Sequence, residues 1–303
     1  MKRVTVFGSF NYDMTARLDH FPKPGETLLG TDFTTGPGGK GSNQAIAAKR
    51  AGAKLKFITK LGADPFGKEA LKTFESVGLS TEGVIIDPAA NTGSAFILLE
   101  EKSRQNMIIV NKGASCSISQ EDIAAVQPLL EETDLLLVQL ETNISAVEAA
   151  IDIVKKGGGA VILNPAPAAE LSPFIYHSTD IITPNETEAE LLTGICVDSP
   201  ESAEKAAEVF RSRGVRQVVI TLGSRGAYVH DGSRSAIIKA YPVKPVDTTG
   251  AGDTFNGAMT AALAQGKSLF DAVNFANAAA SLSVTRPGAG LSSPLREEIE
   301  SIL

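Results

Sequence analysis

Apolar positions along this chain follow two rhythms. Short unbroken runs, such as Val4–Phe7 and Ala160–Leu163, have the length and branching of buried strands. Longer segments, such as Val147–Lys156 and Leu269–Val284, carry apolar residues at helical spacing. From the N-terminus, Val4–Phe7 predicts a strand, Asn43–Ala51 a helix closed by Gly52, and Phe57–Lys60 the next strand. Asp64-Pro65 then supplies a cap and a first-turn proline for a helix running to about Val77 and closed by Gly78.

Between Gly93 and Asn111 the pattern changes. Two runs rich in branched residues, Ser94–Leu99 and Asn106–Val110, flank the polar stretch Glu100–Gln105 and predict a hairpin. Afterwards strands at Asp134–Gln139, Ala160–Leu163, Asp180–Thr183 and Gln217–Thr221 interleave with helices at Val147–Lys156, Glu186–Thr193 and Ser202–Arg213. Two late helices, Thr254–Gln265 and Leu269–Val284, complete the series. Such alternation implies an α/β fold whose parallel sheet is covered by helices on both faces.

Composition narrows the picture. A chain of 303 residues with 43% hydrophobic content and no low-complexity linker suits one domain, residues 1–303, with a small appendage. The segments 13–35 and 93–111 are expected to pair as a small sheet projecting from the main layer, and such a sheet beside a site is a lid. The formal net charge of -7 and the lack of a long basic run argue against nucleic acid or an anionic membrane as partner, leaving small soluble ligands. Only four apolar residues precede Gly8, too few for a signal peptide or membrane anchor, so a cytoplasmic protein is expected. Cys116 and Cys196 lie in no CxxC or Cys/His cluster and read as reduced thiols. His20, His177 and His230 show neither metal-ligand spacing nor a nearby nucleophile motif, which disfavours a hydrolase triad.

The most informative stretch is Asp247–Phe255, DTTGAGDTF, where a glycine-rich turn leads into an alanine-rich helix. Gly250, Ala251 and Gly252 would present successive backbone N–H groups at the positive end of that helix, where developing phosphate charge is best stabilised. Asp253 stands at the helix mouth, either as a cap or as a base that takes a proton from an attacking hydroxyl. Gly36–Asn43, GPGGKGSN, satisfies GxGxxG, yet Val4–Phe7 ends too far upstream for a dinucleotide turn. A turn that approaches a polyol, with Lys40 and Asn43 as hydrogen-bonding groups, and a plain flexible loop remain the other readings. Gly62–Lys68, GADPFGK, approaches a phosphate loop, but Glu69 replaces the hydroxyl residue that would bind magnesium. Asn185 and Glu188 share a helical face and could order waters around magnesium, or simply start a helix. Thr221–Gly226 either lets a nucleotide lie against its two glycines or is a plain turn between strands.

Taken in order, GGKGSN, PNETEAELLTG, TLGSRG and DTTGAGDTFNG resemble the signatures of the ribokinase-like sugar and nucleoside kinases, the PfkB carbohydrate kinases, over almost the whole chain. The resemblance implies a three-layer αβα sandwich with a mostly parallel central sheet and a small β-sheet lid. It also implies ATP as donor, Mg2+, a monovalent cation such as K+, and a homodimer formed through the lids. The sugar would be held by Asn11, Asp13, Gly39, Lys40, Asn43 and Glu141, with Asp253 as catalytic base and Gly250, Ala251 and Gly252 as the anion hole. Asn185, Thr221, Gly223, Ser224, Gly226, Gly252 and Asn277 would serve the nucleotide, and Glu188 magnesium through water. The monovalent cation would use Asp247, Thr249, Ser283, Arg286, Gly288 and Ser292.

Asp13 with Lys40 and Asn43 suits a free polyhydroxylated ligand, so D-ribose, converted to D-ribose 5-phosphate, leads. Deoxyribose, a ketose and a nucleoside are the rivals, and only Phe10 and Tyr12 hint at an aromatic slot for a base. Outside the class stand an NAD-binding oxidoreductase built on Gly36–Gly41 and a catalytically silent sugar-binding regulator.

Overall fold

A computed structural model describes residues 1–103 and 105–303; Arg104, within the polar run expected to turn the hairpin, lies outside the described residues. In chain order the strands are β1 (Val4–Phe7), β2 (Asn11–Leu18), β3 (Asp32–Gly38), β4 (Leu55–Gly62), β5 (Val84–Asp87), β6 (Gly93–Glu100) and β7 (Asn106–Asn111). They continue as β8 (Leu135–Val138), β9 (Ala160–Leu163), β10 (Ile181–Ile182), β11 (Gln217–Thr221), β12 (Ala227–His230) and β13 (Ser235–Ile238). The helices are α1 (Lys40–Arg50), α2 (Pro65–Ser76), α3 (Gln120–Glu131), α4 (Ile144–Lys156) and α5 (Pro173–Ser178). After them come α6 (Glu186–Thr193), α7 (Pro200–Ser212), α8 (Ala251–Ala264), α9 (Leu269–Ser283) and α10 (Arg296–Glu300).

The main sheet runs β13-β12-β11-β10-β9-β8-β1-β4-β5. Every pairing from β11 through β5 is parallel, and only β12, antiparallel to both β11 and the edge strand β13, runs the other way. Strand parity divides its side chains between two helical layers. Val4, Val6, Leu135 and Leu137 pack with Ile46, Phe74, Met259 and Val273 from α1, α2, α8 and α9. Phe7, Leu136 and Val138 pack with Ile123, Val147, Ile175, Ala189 and Phe210 from α3 to α7. The result is the expected three-layer αβα sandwich.

A second, smaller sheet runs β3-β2-β6-β7. The predicted hairpin is present as the antiparallel pair β6–β7. The segment expected as 13–35 resolves into two antiparallel strands, Asn11–Leu18 and Asp32–Gly38, with β6 parallel on the other side of β2. Besides α4 and α7, which begin at Ile144 and Pro200 rather than Val147 and Ser202, two helix starts in glycine-rich segments differ from expectation. α1 begins at Lys40 rather than Asn43, and α8 at Ala251 rather than Thr254. In both, glycine fills the first turn, and its poor helix propensity hides that turn from periodicity.

Candidate active site

The strand order reverses beside β1: the chain builds β4 and β5 on one side, then returns to build β8 to β11 on the other. A crevice opens at the carboxyl ends of parallel strands at such a switch point. Gly8 and Ser9 follow β1, Gln139 and Glu141 follow β8, Asn164 follows β9, and Thr183 and Asn185 follow β10. The N-termini of α1 and α8 reach the same crevice, because Asn43 and Gln44 of α1 hydrogen-bond Asp253 of α8. Gly257, one turn after Asp253, permits this: a Cβ there would sit 2.5 Å from Gln44 O and 2.6 Å from Ala47 Cβ.

Asp253 is 7% exposed and lies in the first turn of α8, whose N-cap is Gly250. The capping reading is therefore set aside. Its Oδ2 accepts from Asn43 Nδ2 at 2.9 Å and its Oδ1 from Gln44 Nε2 at 3.0 Å. Burial pushes the carboxyl above its ordinary range, against the opposing pull of Lys40, Gln44 and Asn43. Gly250, Ala251 and Gly252 form the N-cap and first residues of the same helix, so their N–H groups lie at its positive end. Asn256 secures that turn: its Nδ2 donates to Gly252 O at 2.8 Å while its Oδ1 accepts from Thr183 Oγ1 at 2.6 Å. Gln44, Asn164 and Asn256 were not anticipated as site residues. Asn256 within DTTGAGDTFNG and Gln44 directly after GGKGSN were adjacent signals that could have found two of them.

On the lid side, Asn11 and Asp13 are two apart on β2 and share one face of the small sheet. The Asp13 carboxylate lies over the Cα of Gly38, where a Cβ would fall 2.1 Å from Oδ2. Gly39 then turns at φ 85° into α1. Burial first, and Glu141 second, push the Asp13 carboxyl up to about 7. Glu141 caps the other side of this turn: its Oε2 accepts from Lys40 N at 2.8 Å and from the Ser9 hydroxyl. Burial works against the Lys40 ammonium, but Asp253, Glu141 and Glu188 together hold its pKa above the ordinary value. Asp13, Lys40, Asn43, Glu141 and Asp253 are thus brought together where the small sheet meets the main one, with Asn11 and Gly39 alongside on β2 and at the start of α1.

Phe10 and Tyr12 do not belong to this group. Phe10 is buried edge-on against Phe74, and Tyr12, on the opposite face of β2 from Asp13, stacks on Phe66 with ring centroids 4.6 Å apart. The aromatic hint of a nucleoside slot is removed. The dinucleotide reading of Gly36–Gly41 also falls, because the strand before these glycines is β3 of the small sheet, not a strand of the parallel sheet.

Asn185 and Glu188 form a capping box on α6: Asn185 Oδ1 accepts from Glu188 N at 2.8 Å, and Glu188 Oε2 from Asn185 N at 2.9 Å. Burial raises the Glu188 carboxyl, and its field reaches Lys40 and Asp253. Thr221 bridges to Asn185, and Gly223–Arg225 is a short 3-10 turn between β11 and the antiparallel β12. Ser224 lies in that turn and Gly226 closes it at φ 101°. Asn277 is 4% exposed, and its Nδ2 is spent on Ile238 O and Lys239 O, so it braces the end of β13. Only its Oδ1 is left for a nucleotide.

The two loops assigned to a monovalent cation do meet. Asp247 Oδ1 accepts from Thr249 N at 2.9 Å and Oδ2 from Gly288 N at 3.0 Å, while Val246 N and Asp247 N donate to Val284 O. The Ser283 and Ser292 hydroxyls donate to Ala280 O and Ala289 O, and Arg286 pairs with Glu298. Arg286 can therefore contribute only its backbone to a cation. Among the described residues no group of three or more His, Cys, Asp or Glu is placed to hold a metal.

The model of the pfkB family of carbohydrate kinases matches residues 1–296. The chain belongs to this family. Ribokinase of Haemophilus influenzae is 46% identical over 297 residues, covering 98% of this chain and 97% of its own length. Among solved structures, ribokinase of Thermotoga maritima superposes with a TM-score of 0.90 at 38% identity, with 99% of each chain covered. Arabidopsis thaliana ribokinase complexed with ribose and ATP superposes with a TM-score of 0.92 at 32% identity, covering 99% of this chain and 98% of that one. Like other pfkB carbohydrate kinases, the protein is an ATP-dependent sugar phosphotransferase, which removes the oxidoreductase and silent-regulator readings.

Proposed function

We propose that the protein phosphorylates the hydroxymethyl group of D-ribose, with Asp253 as general base. The observation that carries this reading is a buried carboxylate at the anion-binding end of α8, held by two amides and set opposite Lys40. Asn11, Asp13, Asn43 and Glu141 offer carbonyl, carboxylate and amide groups to sugar hydroxyls, and no aromatic platform accompanies them. The hydroxymethyl oxygen bonds to the γ-phosphorus, the bond from that phosphorus to the β-γ bridging oxygen breaks, and the hydroxyl proton passes to Asp253. ADP leaves. The Gly250, Ala251 and Gly252 amides and Lys40 offset the charge that develops on the transferring group.

Asn185, Thr221, Gly223, Ser224, Gly226, Gly252 and the Asn277 carbonyl would face the nucleotide, and Glu188 would orient water on magnesium. A monovalent cation, potassium by preference, would be held by Asp247 and Thr249 with groups of Ser283, Arg286, Gly288 and Ser292, next to the anion hole whose positive potential it would reinforce. The small sheet acts as a lid over the sugar, and its outer face is the seat of a homodimer in the cytoplasm.

General-base assistance contributes roughly 10²–10⁴-fold. Asp253→Asn should therefore lose turnover by about that factor in steady-state kinetics while keeping ATP affinity and thermal stability. A kcat near the unsubstituted value would remove Asp253 from the mechanism.

A further inference from the structure

We infer that Gln44 is a positioning residue for the reaction, its side-chain amide locked by Gln139 and Asn164 so that it fixes the orientation of the Asp253 carboxylate. This rests on the reading of Asp253 as the base. A glutamine amide has two N–H donors and one carbonyl acceptor. Gln44 uses each of them: Nε2 donates to Asp253 Oδ1 at 3.0 Å and to Asn164 Oδ1 at 2.9 Å, and Oε1 accepts from Gln139 Nε2 at 2.6 Å. Turning the amide over would set a carbonyl against the Asp253 carboxylate and N–H against N–H at Gln139. Asn164 cannot follow, because its own Nδ2 is committed to Thr183 O at 3.0 Å.

Gln44 is fully buried, and the partners that clamp it follow β8 and β9, interior strands of the main sheet. The Gln139 amide is itself packed against Gly8, where a Cβ would fall 2.1 Å from Gln139 Oε1. With Asn43 on Oδ2 and Gln44 on Oδ1, each Asp253 oxygen keeps a further lone pair for a substrate hydroxyl.

The amide also opposes protonation of the base. Burial raises the Asp253 pKa; Lys40 of α1, Gln44 and Asn43 lower it, and Glu141 after β8 raises it. Glu188 of α6 also faces this group, and Glu141 in turn raises the Asp13 carboxyl of the lid. Removing Gln44 takes away one charge-assisted donor and leaves burial in place, so the pH at which Asp253 ionises must rise.

The test is a pH profile of kcat for the full chain and for Gln44→Met, which preserves length and burial without the amide. Turnover should fall about 10–100-fold and the acidic limb should move up by about one pH unit, with KM for sugar and for MgATP changed by less than about threefold. In an Asp253→Asn background the same substitution should add less than about twofold to the loss, because the group it positions is gone. An unmoved acidic limb, or a full additional loss in the double variant, would overturn the inference. Should Gln44→Met fail to fold, Gln139→Met leaves Gln44 in place but unlocked, and must move the limb the same way by a smaller step; an unmoved limb there overturns it equally. A fully active Asp253→Asn would instead defeat the base reading itself, so the two failures are distinguishable.

Discussion

Asp13 is the site carboxylate whose charge depends most on what binds it. Burial and Glu141 push its pKa up to about 7, and hydroxyl donors from a sugar stabilise only the ionised form. Sugar binding should therefore release a proton below about pH 7, and KM for the sugar should rise up to about tenfold per pH unit as pH falls from there, then level off above it. Asp13→Asn should bind more weakly and lose that slope, whereas a flat KM from pH 5.5 to 8.5 (about three pH units) in the unsubstituted protein would contradict the shift. For the sugar-free chain the sign is opposite. The folded state holds more protons than the unfolded one between 3.8 and about 7, so this group lowers stability as pH rises through that window. At this scale the sequence pointed to Asp253, Lys40 and Asn43 through short glycine-rich signatures, and to Asp13 only through the family resemblance of its Asn-x-Asp. It did not disclose Gln139, Asn164 or Asn256, each of which has a partner far along the chain, 95, 120 and 73 positions away. Nor could it show that Tyr12 turns away from Asp13 to stack on Phe66.

Among the elements, α2 shows why a phosphate-loop look-alike can be purely architectural. Asp64 in GADPFGK accepts from Gly67 N at 2.8 Å as helix cap, and from Thr92 N and Thr92 Oγ1 at 2.8 Å each. Thr92 precedes β6, so this carboxylate ties the core helix to the root of the small sheet. Asp64→Ala should cost about 2 kcal/mol in urea unfolding, from the lost cap and the stranded Thr92 N–H. An unchanged midpoint would show that the node contributes nothing. The strands β1, β9 and β11 were legible because a strand buried on both faces reads as an unbroken apolar run. β2 and β3 were not, because NYDMTARL and DFTTGPG are half-buried or exposed along most of their length and carry no alternation. α3 also escaped periodicity, with Pro128 inside it.

Across the whole molecule, the small sheet presents an apolar outer face on the side opposite Asp13. Register places Phe33, Phe96, Met107 and Ile109 together there, exposed at 64%, 45%, 53% and 64%. A patch of that kind on an open sheet calls for a cover, and a second lid offers one of matching shape and chemistry. Gel filtration should give twice the chain's mass, and Ile109→Lys should give the mass of one chain with its fold intact; a monomeric unsubstituted protein would contradict the lid-to-lid dimer. The overall architecture was the most legible level of all, since alternating βα segments admit few arrangements. The measurement that bears most directly on function is ADP release with MgATP across D-ribose, 2-deoxyribose, hexoses and nucleosides, with the product's phosphate position determined by NMR. The expected result is the highest kcat/KM for D-ribose and a single phosphate on its hydroxymethyl oxygen. Preference for a nucleoside or a hexose, or phosphate at another oxygen, would contradict it.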